Sequence, residues 1–246
     1  MIFDFHTHVD EVPALGWHMP VELVLQQMDE AGVDRAVIMT IVDAPAVNPN
    51  ALELLAEIVA AHEKRLVGFL RVHPWYYEEA AAMIRHGVRD LNIRGVKLHP
   101  TSNLSAPGGD ATVNIVRLAA ECGVPVMFHS GDEALVTPWE LAQCAKVCPD
   151  ATIVFAHSGG YAHTNDAFDV AERYSNIMLD TSAMPYPRKL QEAVRRLGPE
   201  RILFASDAPG ALPSIELAKI DCAELSDDER RLVLGGNAMK LLGMAL

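Results

Sequence analysis

The opening segment Met-Ile-Phe-Asp-Phe runs directly into His6-Thr7-His8. On an extended strand, residues i and i+2 point the same way, about 6–7 Å apart. Two imidazoles at that spacing can converge on one metal ion, each nitrogen at about 2.0–2.1 Å. The same kind of ending recurs along the chain, where Arg71 with His73, Lys97 with His99, His129, His157 and Asp207 each close a short apolar run. Ionisable groups drawn out of water are costly unless they are paired or ligating. A single histidine in such a place is ordinarily a satisfied core residue. A whole series of them, with a carboxylate at the end, needs one shared reason, and a metal ion supplies it.

The elements that must position these groups follow from periodicity. Near-continuous apolar runs predict strands over Met1–His8, Arg35–Thr40, Leu66–His73, Gly95–His99, Pro125–His129, Thr152–His157, Asn176–Thr181 and Arg201–Asp207. Between them, helical periodicity predicts Pro20–Ala31, Asn50–Glu63, Tyr76–Gly87, Asp110–Gly123, Pro138–Val147, Asn165–Tyr174, Pro187–Leu197 and a C-terminal helical group from Pro213 onward. Pro138 and Pro187 open two of these helices, and Gly32, Gly87, Gly123 and Gly198 close others. Strict alternation of buried strands with helices is the pattern of a single-domain (β/α)8 TIM barrel over residues 1–246. An open doubly wound sheet is the rival, but no Gly-rich dinucleotide fingerprint follows the first strand. In a barrel the strand C-termini share one rim, so all the groups above would meet there. Trp17, Trp75, Tyr76, Tyr77, Trp139, Tyr161 and Tyr186 also follow strands, as pocket walls would, although Tyr77 and Trp139 read better as helix starts.

Composition narrows the partners. The chain of 246 residues is 50% hydrophobic, which suffices for a large core, and no stretch approaches the ~20 unbroken apolar residues of a bilayer span. A net charge of −13 argues against nucleic acid. Cys122, Cys144, Cys148 and Cys222 show no paired-motif spacing, so Cys144 and Cys148 read as small buried helix residues rather than ligands. With no basic leader or small-residue cleavage site at the start, a cytoplasmic location is expected. Assembly into a homo-oligomer stays open.

Phe5-His6-Thr7-His8 resembles the opening HxH motif of the amidohydrolase superfamily, Gly95-Val96-Lys97-Leu98-His99-Pro100 its fourth-strand segment and Ala156-His157-Ser158-Gly159-Gly160 its sixth. Ser206-Asp207-Ala208-Pro209 and Gly236-Asn237-Ala238-Met239-Lys240-Leu241-Leu242-Gly243 are similar to the ending of its amidohydrolase 2 branch, which includes aminocarboxymuconate-semialdehyde decarboxylase-like enzymes. The resemblance implies one divalent metal, zinc most often, held by His6, His8, His129 and Asp207. It also implies His157 as an acid/base. On that reading Asp207 accepts a proton from a metal-activated water and His157 serves the leaving group.

The expectation is then hydrolysis of an amide, ester or lactone in a small, anionic substrate. Non-oxidative decarboxylation on the same site is the first alternative, and a non-catalytic metal-binding barrel the second. Arg71 and Lys97 are assigned to a substrate carboxylate, since guanidinium binds carboxylates through two parallel hydrogen bonds. An internal ion pair is an equally weighted reading for Arg71. Lys97 reads as a rim cation or a partner of a carboxylate such as Asp180, and a carboxylated bridge between two metals is the rival. His73 and His99 precede prolines and read as rim residues, His18 and His163 as loop residues, and His62 and His86 as helix-surface residues. Pro100–Asp110 reads as a loop beside the site, either a lid or a plain connection, and Asp227-Asp228-Glu229 as a solvated helix start.

Overall fold

The computed structural model describes residues 1–12 and 16–244. Eight parallel strands form the barrel in the order β1 (Phe3–His8), β4 (Arg35–Met39), β5 (Leu66–Arg71), β6 (Ile93–Leu98), β7 (Val126–Phe128), β8 (Ile153–Phe155), β9 (Ile177–Asp180) and β10 (Ile202–Leu203). The last strand returns to the first through backbone hydrogen bonds, Phe5 N–H to Phe204 O (2.9 Å) and Asp207 N–H to His6 O (2.8 Å). Helices α1 (Val21–Ala31), α2 (Ala51–Ala61), α3 (Tyr77–Asp90), α5 (Asp110–Glu121), α6 (Pro138–Val147), α7 (Thr164–Arg173) and α8 (Pro187–Leu197) follow successive strands, with α9 (Pro213–Asp221), α10 (Asp227–Arg231) and α11 (Asn237–Leu241) after the last. This is a (β/α)8 barrel. Among the described residues no helix is long and apolar enough to cross a membrane.

The barrel interior is layered by the two-residue alternation of strands. Val67 and Phe69 on β5, Met127 on β7, Val154 on β8 and Leu203 on β10 fill its lower half together with Phe3 and Phe5, and Ala238, Met239 and Leu242 of the C-terminal helical segment close the bottom. Phe5 meets Phe69 edge to face at 5.3 Å. Gly95 makes room for that pair: a Cβ there would lie 2.3 Å from the Phe69 ring. Two residues further along the same inward faces come Arg71 and Lys97, with His129 two beyond Met127. Apolar filling therefore gives way to ionisable groups at the C-terminal ends of the strands.

Three local features depart from the sequence expectation. Strands β8 and β10 stop short of His157 and Asp207, which lie on the turns that follow. A small antiparallel hairpin, β2 (Asp10–Val12) with β3 (Trp17–Met19), rises after β1, so Trp17 and His18 belong to a strand. Within Pro100–Asp110 the chain forms one helical turn, α4 (Pro100–Asn103), started by Pro100. The acidic run after Ser226 is a helix start, as expected, closed by reciprocal hydrogen bonds between Ser226 and Glu229.

Candidate metal centre and active site

On β1, inward-facing Phe3 and Phe5 occupy odd positions and His6 and His8 even ones, which regular alternation forbids on one face. The pairing of β1 with β4 slips between Asp4 and Thr7, where one extra residue bulges out. The slip turns both histidines into the barrel above the phenylalanines. There His6 Nε2 and His8 Nε2 are 3.2 Å apart, and Asp207 Oδ1 lies 3.1 Å from His8 Nε2 and 3.5 Å from His6 Nε2. Ligand atoms about 2.1 Å from a common ion stand roughly 3.0–3.5 Å from one another. Two imidazoles and a carboxylate at that separation fit a divalent cation. Burial opposes ionisation of Asp207, but His6, His8 and His157 around it outweigh this and hold its carboxyl well below the usual range.

Asp180 at the end of β9 organises the centre. Its Oδ2 faces His6 Nδ1 at 3.0 Å, while its Oδ1 accepts from His157 N–H (2.7 Å), Ser182 N–H (3.0 Å) and the Ser182 hydroxyl (2.7 Å). Burial pushes this carboxyl up, while His157, the Ser182 hydroxyl, the His157 N–H and Lys97 pull against it. His157 Nδ1 in turn lies 2.9 Å from Ser182 Oγ. His157 and Ser158 have φ of 65° and 47°, and Asp207 has φ of 66°, left-handed backbone that costs on the order of 1–3 kcal/mol per residue. The His157 turn is held by Gly159 N–H on Ser130 Oγ (2.9 Å) and by Ser158 Oγ on Asp180 O. Ahead of Asp207, Ser206 N–H donates to Asp4 Oδ1 (2.9 Å).

The other expected residues are distributed less simply. His129 does not join the group of His6, His8 and Asp207. Its ring stacks on His99 at 3.9 Å, its Nε2 lies 3.3 Å from Glu133 Oε2, and its edge meets His157 at 4.8 Å between ring centres. Lys97 sits at the cavity floor, 1% exposed, with Nζ 3.1 Å from His6 Nε2, and burial pulls its ammonium down to about 7. Arg71 makes the internal ion pair, Nε to Asp43 Oδ1 at 2.7 Å, and also donates from Nη2 to Ser102 Oγ at 2.8 Å. Asp43 and Ser102 were not among the candidate residues, and Asp180 was named only as a possible partner of Lys97. For Asp180 the signal was a carboxylate at the end of a predicted strand; Asp43 and Ser102 lie in loops, where sequence carries no register.

A cavity of about 430 Å3 opens over this floor. His8, Asp207, His157, Lys97, His129 and Arg71 line its polar side, and Trp17, Met19, Ile41, Val42 and Val47 its apolar side. Of the aromatic residues expected as walls, Trp17 alone lines it among the described residues. Tyr161 and Trp75 stay exposed.

A closed barrel carrying a paired-histidine motif on its first strand, with a carboxylate after its last, defines a metal-dependent barrel enzyme. The chain belongs to the amidohydrolase family, whose model, described as Amidohydrolase, matches residues 3–244. No curated protein matches it. Among solved structures it is similar to 5-carboxyvanillate decarboxylase LigW from Sphingomonas paucimobilis, with 17% identity, 99% of each chain covered and a TM-score of 0.80. It is also similar to 2,6-dihydroxybenzoate decarboxylase from Rhizobium, with 15% identity, 98% of each chain and 0.76. A third is the dihydroxybenzoic acid decarboxylase from Polaromonas sp. JS666 with bound manganese and 2-nitroresorcinol, with 18% identity, 98% and 96% covered and 0.75. These neighbours are decarboxylases, which corrects the expectation of hydrolysis of an amide, ester or lactone. Zinc likewise loses its preference, because the metal named in such a neighbour is manganese.

Proposed function

We propose that this protein is a divalent-metal-dependent, non-oxidative decarboxylase of small, flat carboxylic acids, aromatic acids in the first instance. The observation that carries this reading is the two-sided cavity: imidazoles, a carboxylate and two cations on one side, and Trp17 with aliphatic side chains on the other. A planar ring fits the apolar side while its carboxylate meets the polar one. His6, His8 and Asp207 are assigned as metal ligands. His129 is proposed as a fourth that gives up its contact with Glu133 when the ion is present. Manganese is the first choice, by analogy with the neighbour that holds it. Bound there, the ion supplies positive charge that orients the substrate and stabilises electron density left on it.

The reaction breaks the bond between the substrate carbon and its carboxylate. The electron pair stays on that carbon, a proton takes the place of the departing group, and CO2 leaves. Arg71 and Lys97 are assigned to the substrate carboxylate or a neighbouring oxygen, Arg71 with its Nη1 left over from the Asp43 and Ser102 contacts. The proton must pass through a group facing the cavity. His6, His8 and His157 favour the ionised form of Asp207 and burial favours the uncharged form of His157, so each first takes a proton, from the substrate or from water, and then delivers it. The test is CO2 release, with Mn2+-reconstituted protein, from a panel of benzoic, hydroxybenzoic and benzenedicarboxylic acids. Release dependent on metal supports the proposal, and no release from any of them rejects it.

A further inference from the structure

We propose that Asp180 is a positioning residue that sets a single ring tautomer in both His6 and His157, directly in the first and through Ser182 in the second. A carboxylate only accepts, so the 3.0 Å contact of its Oδ2 requires the hydrogen of His6 to sit on Nδ1. Lys97 Nζ, 3.1 Å from His6 Nε2, can donate to it and fits the same arrangement. Ser182 Oγ donates to Asp180 Oδ1 and so has only lone pairs to offer His157 Nδ1, 2.9 Å away, which must carry hydrogen as well. Both Nε2 atoms then face inward without hydrogen, one ready to ligate and the other ready to take a proton. All of these groups are buried, so water does not substitute for the missing partner.

The geometry makes the two branches separable. In Asp180→Asn one oxygen remains, and three donors compete for it on the Oδ1 side against one on the other. The amide oxygen stays with His157 N–H and Ser182, and its NH2 turns to His6. His6 Nδ1 must then accept, its hydrogen moves to Nε2, and ligation there is blocked, while His157 keeps its tautomer. Ser182→Ala does the reverse, removing the acceptor from His157 and leaving the contact of His6 with Asp180 intact.

The inference rests on the metal-site part of the proposed function and not on the reaction. The test therefore uses no substrate. Long-range 1H–15N spectra of protein labelled with 15N-histidine, metal-free and Zn2+-loaded, report which ring nitrogen carries hydrogen, and Mn2+ affinity is read from the free-ion EPR signal. We expect Nδ1–H for both residues in the native protein. Asp180→Asn should lower Mn2+ affinity about 10–100-fold with His157 unchanged, and Ser182→Ala should keep affinity within about threefold while His157 loses its single tautomer. Hydrogen on Nε2 of either residue in the native metal-free protein, or equal loss of Mn2+ affinity in both variants, overturns the inference. If Asp180→Asn fails to fold, the native spectra and Ser182→Ala decide alone. Intact CO2 release with the wrong tautomers would sink this inference and spare the decarboxylase reading.

Discussion

Substituting Asp43→Asn tests how the polar side of the cavity is held. Arg71 and Asp43 are 4% and 5% exposed, and Ser102 closes a triangle between them by donating to Asp43 Oδ2 at 3.2 Å and accepting from Arg71 Nη2. The asparagine keeps a hydrogen-bond acceptor for Arg71 Nε but removes the balancing charge. A buried guanidinium is left beside Lys97, whose ammonium Arg71 already disfavours. Breaking a buried pair from one side costs about 3–5 kcal/mol, because one charge stays behind without its partner. At about 2–4 °C per kcal/mol for a chain of this size, Tm should fall by roughly 6–20 °C. Arg71→Met in the same background removes the stranded charge, so the double variant should recover most of the loss. Denaturant unfolding of the four proteins, analysed as a double-mutant cycle, gives the coupling directly. A loss below about 1 kcal/mol in Asp43→Asn, or simple additivity, would show that Arg71 is not held by this pair and refute the reasoning.

Gly95→Ala should destabilise by about 1–3 kcal/mol through the clash with the Phe69 ring, and Phe69→Leu should relieve part of that loss; equal stability of Gly95→Ala and native protein in urea would contradict the packing. Burial pushes the Glu216 carboxyl up to about 7 from its ordinary 4.5, against the pull of Lys219. An acid raised on folding stabilises while protonated, so its contribution is full below about pH 4.5 and is lost as pH rises through 7, about 3 kcal/mol in all. Stability measured across that range should therefore slope more steeply in the native protein than in Glu216→Gln, and parallel curves would count against it. Alanine at His6 or His8 should weaken metal binding more than alanine at His129, which must first give up its contact with Glu133; calorimetric titration with Mn2+ ranks them, and unchanged affinity in His129→Ala would remove it from the ligands.

The barrel was legible because buried strands and helices alternate in the sequence, and the groups at the strand ends because inward positions recur every second residue: Phe69 then Arg71, Gly95 then Lys97, Met127 then His129. Two things escaped that rule. The bulge in β1 changes parity inside a strand, which no residue type announces, and the left-handed turns at His157 and Asp207 end β8 and β10 before the functional residues are reached. Residues that act on other residues were harder still. Asp180 meets His6 and Asp43 meets Arg71 only through contacts distant in sequence, and their roles emerge from the hydrogen-bond geometry. The hydrolytic expectation failed for a different reason: the same donors serve more than one reaction, and a fold carries many.

Anomalous diffraction from crystals of the protein grown with Mn2+ tests the central claim most directly. The account places one strong peak within bonding distance of His6 Nε2, His8 Nε2 and an Asp207 carboxylate oxygen. Density for the ion elsewhere, or a cluster left empty under saturating Mn2+, would contradict it.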